Sequence, residues 1–259
     1  MTVAEASEPQ VLSERRGSTL ILTMNNPARR NALNPALVRG LEDGFAAQEA
    51  DPTIRAVVLT GAGGHFCSGG DLSTMDLGRG AKRAQFDVSR KLALQIAGAS
   101  VPVITAVEGW AAGAGFGIAL LGDTVVASRE AGFLPAFPKV GLIPDYGLLE
   151  SLPRRVGLAL AKQILLYARP VRGPEAQAIR LVDELVEPGA AVDRAVELAG
   201  SFSGLAPRAL RAIKDYYATK ITPALDYERL VQPELLLSDD AAEGRAAFLE
   251  KRLPAFKDR

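Results

Sequence analysis

Short apolar runs predict that the strands of this protein lie mostly in the first half of the chain. Such runs occupy 18–24, 54–60, 101–107 and 124–128. The runs 54–60 and 101–107 are apolar at nearly every position, which is typical of strands covered on both faces of a sheet. Predicted helices lie between the runs, so the pattern indicates an α/β fold.

One helix is well marked in the first half, and the second half is mostly helical. Asn34 is a favourable N-cap, and Pro35 suits the first position of a helix. Apolar residues then recur every four positions, at Leu37, Leu41 and Phe45. This spacing predicts a helix that ends near Asp51. Further helices are predicted over 87–99, from Pro174 onwards, and over 190–203, 207–220, 224–237 and 240–252, whereas the proline-rich stretch 132–147 predicts irregular structure.

The composition is that of a soluble domain and excludes several classes of protein. Of the 259 residues 48% are hydrophobic, and the 30 basic and 30 acidic residues cancel. We therefore expect no nucleic-acid partner, and no apolar run reaches the roughly 20 residues of a membrane span. The single cysteine, Cys67, excludes an intrachain disulfide and, with one histidine, gives no metal cluster. Because residues 1–16 lack the apolar run of a secretory signal, we expect a cytoplasmic protein.

Two glycine-rich loops follow two of the buried strands. GAGGHFCSGGD covers 61–71 and GWAAGAGFG covers 109–117. A loop of small residues that leads into a helix presents backbone N–H groups that can hold negative charge. One such loop is a weak signal, but two of them suggest that two donors converge on one oxygen atom.

Nucleotide-binding loops and plain packing are the alternatives for these glycines. Gly113, Gly115 and Gly117 are spaced two apart, which is not the G-x-G-x-x-G register of a dinucleotide site. The chain has no G-K-[ST] sequence, so a Walker A loop is excluded. Glycines that only permit tight packing remain an open alternative when each loop is considered alone.

Five segments resemble a known family. FCSGGDLSTM (66–75) resembles the first oxyanion loop of the crotonase, or enoyl-CoA hydratase/isomerase, superfamily, and VEGWAAGAGFGIALLGD (107–123) resembles the second. NPARRNALN (26–34) is similar to the early segment that contacts coenzyme A. GLIPDYGLLESLPRRVG (141–157) and FLEKRLPAFKDR (248–259) also match, so the resemblance covers essentially the whole chain in the right order.

The resemblance implies a fold, a substrate class and an assembly. The fold is an α/β spiral of ββα units, with a core and acyl-CoA site over 1–200 and a helical C-terminal region over 201–259 that is used for trimerisation. The implied partner is an acyl-CoA thioester, and the implied assembly is a homotrimer or homohexamer. Coenzyme A is then part of the substrate, and no separate cofactor is expected.

The resemblance also implies site residues. The oxyanion donors are the backbone N–H groups of Ser68 and Ala114, whose small side chains suit a role that needs only the backbone. One preorganised donor contributes roughly 3–4 kcal/mol to such a transition state. Substrate contacts are implied for Arg29, Arg30, Ala32, Cys67, Gly69, Gly113, Phe137, Tyr146, Phe256 and Lys257, although the Cys67 thiol itself is expected to be buried and chemically idle.

The chain departs from the hydratases of this family at both catalytic glutamates. The first glutamate lies three residues after the second oxyanion donor, where this chain has Gly117. The second lies four residues before the glycine of the GLIP segment, where this chain has Phe137. Neither residue can move a proton, so the two-glutamate route for adding water is excluded.

Asp145 is the candidate that replaces them. Certain isomerases of the family carry an aspartate at the matching position, and a single base suits a 1,3 double-bond shift. An apolar pocket around Asp145, with Phe133, Phe137 and Leu142, should raise its pKa towards neutrality. The plainer alternative is a turn residue, because Pro-Asp-Tyr-Gly is good turn chemistry.

Three functions are therefore open at the level of the sequence. The favoured one is an enoyl-CoA isomerase that uses Asp145. The second is a hydratase with relocated acid and base groups, for which Glu150 is the second candidate. The third is a non-catalytic acyl-CoA-binding protein. A dehalogenase is disfavoured because its three-part site is incomplete: Phe137 stands near the tryptophan position, and the only histidine, His65, lies beside the first loop. Asp71 is expected to be the N-cap of a helix after the first loop.

Overall fold

The computed structural model describes residues 9–71 and 79–258, with the backbone alone at 79–83. The strands in these ranges are β1 (Val11–Arg16), β2 (Thr19–Met24), β3 (Ala56–Gly61), β4 (Val103–Val107), β5 (Trp110–Ala112), β6 (Thr124–Ser128), β7 (Gly132–Leu134), β8 (Val171–Arg172) and β9 (Glu184–Val186). The helices are α1 (Pro35–Ala50), α2 (Arg79–Ala97), α3 (Ala114–Leu121), α4 (Leu148–Val156), α5 (Leu158–Leu166), α6 (Gly173–Ala178), α7 (Ala191–Gly200), α8 (Pro207–Ala218), α9 (Thr222–Leu235) and α10 (Asp239–Glu250).

The strands form one large sheet and one small sheet. The large sheet has the order β1-β2-β3-β4-β6-β9, in which only the β1–β2 pair is antiparallel. The small sheet has the order β5-β7-β8. Parallel strands place their carboxyl ends on one edge of a sheet, so the loops that follow β3 and β4 leave the large sheet side by side. The mixed α/β architecture is the one predicted.

Alternate residues of the large sheet pack into two cores. On one face Val58, Ile104 and Val126 pack against the alanines of α7. The opposite face packs into a larger cluster together with α1, α2 and α3. Burial on both faces explains why β3 and β4 are apolar at nearly every position.

Most predicted elements are confirmed, and several are corrected. The short strands β5, β7, β8 and β9 were not predicted, because each has only two or three residues, and β7 lies in the stretch 132–147 that was expected to be irregular. Asn34 caps α1 by accepting hydrogen bonds from the N–H groups of Ala36 and Leu37, both at 2.9 Å. Strand β1 was not predicted, because five of its six residues are exposed and its sequence is polar. Helix α2 begins at Arg79 rather than at 87, since its first turns are polar. The helix predicted after Asp71 would begin among residues outside the described ranges.

Two acidic residues at element ends have structural roles. Asp123 accepts a hydrogen bond from Val103 N–H at 2.8 Å and pairs with the buried Lys214. Glu108 accepts hydrogen bonds from the N–H groups of Gly189 and Ala191 at the start of α7. Within the described ranges, no helix is both long enough and apolar enough to cross a membrane.

The N-cap of α1 gives a test of the fold. Asn34→Ala should lower the free energy of unfolding by about 1 kcal/mol, because two N–H groups at the start of α1 lose their acceptor. Asn34→Asp keeps the acceptor and is the matched control. Urea unfolding measures both variants, and a wild-type midpoint for Asn34→Ala would contradict the capping role.

Candidate active site

The two glycine-rich loops are held side by side by backbone hydrogen bonds. Phe66 N–H donates to the carbonyl of Glu108 at 2.8 Å, and Cys67 N–H donates to that of Trp110 at 3.0 Å. Ala112 N–H donates back to the carbonyl of Cys67 at 2.8 Å. The two bonds of Cys67 form a parallel bridge between Cys67 and Ala111, beyond the ends of β3 and β4. The predicted convergence of the two loops is thus present in the structure.

Glycine is required where the loops touch. A Cβ atom on Gly115 would lie 2.4 Å from the carbonyl oxygen of Cys67. Gly69 has a φ of +101°, and its Cβ would lie 2.9 Å from the carbonyl oxygen of Ala112 and 3.5 Å from the nitrogen of Ala114. Tight packing and access to the backbone are therefore properties of the same glycines and not alternatives.

Ala114 occupies a position from which its N–H can bind an anion. It is the first residue of α3, after Gly113 with a φ of +52°. None of the hydrogen bonds among the described residues uses Ala114 N–H, which lies at the positive end of the helix. This geometry is compatible with the donor predicted from the sequence.

Ser68 is a different case, and the structure contradicts its predicted role. Its backbone N–H donates to the carbonyl of Arg30 at 2.9 Å, so it already has an acceptor. Two residues further on, Gly70 and Leu33 form a parallel bridge. In this bridge Leu33 N–H donates to the carbonyl of Gly69, and Asp71 N–H donates to the carbonyl of Leu33. The N–H of Gly70 takes no part in that bridge or in any other described hydrogen bond. Gly70 is therefore the better donor from the first loop.

Two cavities meet at this point. The outer cavity has a volume of about 440 Å³ and the inner cavity one of about 450 Å³. Four residues line both of them: Gly70, Ala114, Leu142 and Asp145. The junction therefore brings together the N–H groups of Gly70 and Ala114, which have no described acceptor, and the carboxylate of Asp145.

The walls of the two cavities differ in character. Arg29 and Lys139 bring positive charge to the outer cavity, and Phe248 and Leu249 of α10 add apolar surface. The inner cavity is lined by residues of α1, α2 and α9 and by Tyr146. The outer cavity suits a phosphate-bearing carrier, and the inner one suits a largely apolar group.

Asp145 has the electrostatics of a general base. Part of its surface faces the cavities, but Oδ1 is buried and has no hydrogen-bond partner. Loss of solvation raises the pKa of Asp145 to about 7. Near that pH the group can both accept and return a proton, which is the property that general-base chemistry requires.

The two positions that carry glutamates in the hydratases are filled differently here. A Cβ on Gly117 would lie 2.6 Å from the carbonyl oxygen of Asp145 and 2.8 Å from Cβ of Tyr146. The loop that carries Asp145 therefore packs directly on Gly117, and no side chain fits between them. Phe137 is buried and forms part of the wall of the outer cavity.

The remaining predicted site residues divide into two groups. Those that line a cavity are Arg29, Ala32, Gly69, Gly113, Phe137 and Tyr146. Those that line neither are Arg30, Cys67, Phe256 and Lys257. The Cys67 thiol is buried, and desolvation raises its pKa to about 12, so it is not a nucleophile. In the described part of this single chain, Lys257 N–H donates to Asp240 at 2.6 Å, away from both cavities.

Some residues of the site were missed from the sequence, and one candidate lies elsewhere. In the sequence Lys139 resembles an ordinary surface residue, and Phe248 and Leu249 resemble core residues of a helix. Only the packing of α10 on the turn at 137–140 brings them to the cavity. Glu150 pairs with Arg154 and lines neither cavity. No group of three or more potential metal ligands occurs within the described ranges.

Backbone donors and a carboxylate at the junction of two cavities, next to a mixed sheet, define this protein as one of the crotonase class. A model of the family described as enoyl-CoA hydratase/isomerase matches residues 14–259. The chain belongs to this family. It is 38% identical to enoyl-CoA hydratase EchA19 of Mycobacterium tuberculosis, with 98% of each chain covered. It is 36% identical to 1,2-epoxyphenylacetyl-CoA isomerase of Escherichia coli, with 95% of this chain and 97% of that protein covered.

Solved structures agree with the fold. An enoyl-CoA hydratase from Mycobacterium avium subsp. paratuberculosis superimposes with a TM-score of 0.86 at 29% identity, covering 96% of this chain and 99% of that one. A carnitinyl-CoA hydratase from Mycobacterium avium also gives 0.86, at 31% identity, covering 98% of this chain and all of the other. The predicted family and fold are confirmed. The relatives include both hydratases and an isomerase.

Contact between Gly117 and the Asp145 loop can be tested by substitution. Gly117→Ala should lower the free energy of unfolding by about 1–3 kcal/mol, because the new methyl group overlaps the backbone of Asp145. Gly200→Ala, at the end of α7, is the matched control, since nothing lies within 4 Å of its Cβ. Urea unfolding compares the two variants. Equal stability would show that the loop has room for a side chain at 117.

Proposed function

We propose that this protein is an enoyl-CoA isomerase that moves a double bond by means of Asp145. The observation that carries the proposal is the position of this carboxylate. It lies at the junction of two cavities with the free N–H groups of Gly70 and Ala114, and burial raises its pKa to about 7. The carboxylate supplies the base and the N–H groups supply the site for the enolate oxygen.

One carboxylate is sufficient for both proton transfers. The Asp145 carboxylate takes a proton from C2 of a 3-enoyl thioester, and the C–H electron pair forms a dienolate. Its oxygen accepts hydrogen bonds from Gly70 and Ala114. The Asp145 carboxylic acid then returns the proton to C4, which leaves a 2-enoyl thioester and an ionised Asp145. Atoms and charge balance without water or a second acid.

A hydratase is the competing activity within the family. Adding water calls for a group that activates water and a group that protonates carbon. Among the described residues Asp145 is the only carboxylate at the junction of the cavities; Asp71 lines the outer cavity alone, Glu42 lines the inner cavity alone, and Glu150, the second group considered from the sequence, lines neither. The structure gives no specific support for hydration, and the product analysis below distinguishes the two activities.

We also propose that the outer cavity binds coenzyme A and that the chain forms a homotrimer or homohexamer in the cytoplasm. Arg29 and Lys139 are suitably placed for phosphate groups. Large apolar side chains exposed on α8 to α10 support assembly through the C-terminal helices; they include Ile213, Tyr216, Leu230 and Phe248.

The activity is tested by following a 3-enoyl-CoA in D₂O by NMR. A conjugated 2-enoyl product with deuterium at C2 or C4 is expected. Asp145→Asn should still bind the thioester but lose at least about 10²-fold in kcat, because the base is gone. A 3-hydroxyacyl product would identify a hydratase, and unchanged turnover by Asp145→Asn would remove Asp145 from the mechanism.

The pH dependence gives an independent test. Burial raises the pKa of Asp145 to about 7, and only the ionised form can accept a proton. The value of kcat/KM should therefore rise as the pH increases through about 7 and level off above it. An aspartate with the ordinary value near 3.9 would already give a plateau above roughly pH 5. A flat profile from pH ~5.5 upwards would contradict the role of the buried carboxylate.

A further inference from the structure

Two buried polar side chains of α9 hold the backbone on either side of Asp145. Gln232 exchanges two hydrogen bonds with Ile143: its Nε2 donates to the carbonyl at 2.7 Å, and its Oε1 accepts from the N–H at 3.0 Å. Glu228 accepts a hydrogen bond from Gly147 N–H, at 3.0 Å to Oε1 and 3.2 Å to Oε2. The anchored residues are two before and two after Asp145. We call Glu228 and Gln232 the α9 clamp.

Burial shows that the clamp is not an incidental contact. Gln232 is 1% exposed and Glu228 is 3% exposed. They are four residues apart, so they lie on the same face of α9. Burying an amide and a carboxyl costs free energy unless each has partners, and backbone groups of the Asp145 loop supply those partners.

The loop needs such support because its backbone is strained. Tyr146 has a φ of +51°, a left-handed conformation that is sterically unfavourable for a residue with a bulky side chain. Gly147 follows with a φ of +73°. Of these two left-handed residues, only Tyr146 has a side chain that makes the conformation costly. The bonds to α9 offset the strain.

Helix α9 is itself fixed in register against the rest of the site. Arg90 of α2 pairs with Asp226 at 2.8 Å, and Arg229 of α9 pairs with Asp87. Near the start of α9, the side chain of Ile221 packs against Gly147, where a Cβ would lie 2.2 Å from Cδ1. These contacts fix the position of α9 relative to α2 and to the Asp145 loop.

Glu228 acts on the loop and does not meet the substrate. It lines neither cavity, whereas Gln232 contributes to the wall of the inner one. Burial, together with the charge of Asp145, raises the pKa of Glu228 to about 9, so the group is a neutral acid at pH 7. Glutamine is then a close substitute in size, charge and accepting ability.

We propose that Glu228 and Gln232 are positioning residues that fix the Asp145 carboxylate relative to the N–H groups of Gly70 and Ala114. The inference rests on the proposed role of Asp145 as the base. It predicts that α9 controls the rate of proton transfer and not the affinity for the thioester, because a small displacement of a catalytic group can cost up to about 10²-fold in rate.

The test compares two substitutions of Glu228 in the full-length protein. Glu228→Met removes the acceptor at similar size and should lower kcat at least about 10-fold, with less than a ~3-fold change in KM. Glu228→Gln keeps the acceptor and should stay within ~3-fold of wild-type kcat. In an Asp145→Asn background, Glu228→Met should add less than ~3-fold, since both changes affect the same step.

Hydrogen exchange tests the clamp independently of activity. In Glu228→Met the backbone amides of 143–147 should exchange at least about 10-fold faster than in wild type or Glu228→Gln. If Glu228→Met does not fold, Gln232→Met replaces it, with the same loss of kcat and of protection expected.

The outcomes separate this inference from the proposed function. Wild-type kcat and unchanged exchange in Glu228→Met would overturn the clamp. An equal loss in Glu228→Gln would also overturn it, because the carboxyl group itself would then be needed. A change in KM alone would make α9 a binding element. Full activity of Asp145→Asn would instead overturn the proposed function, regardless of the result for Glu228→Met. The exchange rates of the amides at 143–147 would still test whether Glu228 and Gln232 hold the loop.

Discussion

Three backbone hydrogen bonds between the loops at 66–67 and 108–112 hold the site together. They place Gly70 and Ala114 at one junction, and they involve no side chain at all. The residues that make them can therefore be small, and they must be small, because Gly115 lies against the carbonyl of Cys67. The large sheet sets the spacing of the loops, since β3 and β4 are neighbours in it. Two N–H groups without a described acceptor are thus brought together by the backbone alone.

A glutamate at position 117 and the observed position of the Asp145 loop exclude each other. The backbone at Asp145 and Tyr146 lies where a side chain at 117 would begin. A glutamate at 117 would displace the loop that carries the aspartate. The absent glutamate is therefore more than a lost group, because its absence makes room for the loop that carries Asp145. Phe137 completes the change by replacing a second carboxylate with an apolar wall.

Much of the fold and the central carboxylate could be predicted from the sequence, for identifiable reasons. Helix α1 has a strong cap and a regular apolar spacing, and β3 and β4 are buried on both faces. Strand β1 escaped prediction because its side chains face solvent. The position of Asp145 at the cavities could be anticipated because the segment that carries it is specific to the family, and its catalytic role stays a prediction. Ser68 was chosen wrongly, since the motif identifies the loop, but only the neighbouring Arg30 carbonyl determines which N–H stays free.

The contacts of α9 and α10 with the site could not be predicted from the sequence, because they depend on packing between segments that are far apart in the chain. Glu228 and Gln232 stand in a helix rich in charged and polar residues, where a solvent-exposed position is the natural expectation. Their burial appears only when α9 is placed against α2 and the loop at 143–147. Phe248 and Leu249 are similar, since their contribution depends on where α10 lies.

The distance along the chain between Asp145 and α9 affects how the protein matures. The strands and both glycine-rich loops are synthesised well before residue 228 leaves the ribosome. Until α9 is synthesised, the Asp145 loop has none of its hydrogen bonds to Glu228 and Gln232. All strands of the large sheet end by residue 186, so the whole sheet precedes in synthesis the helix that anchors this loop.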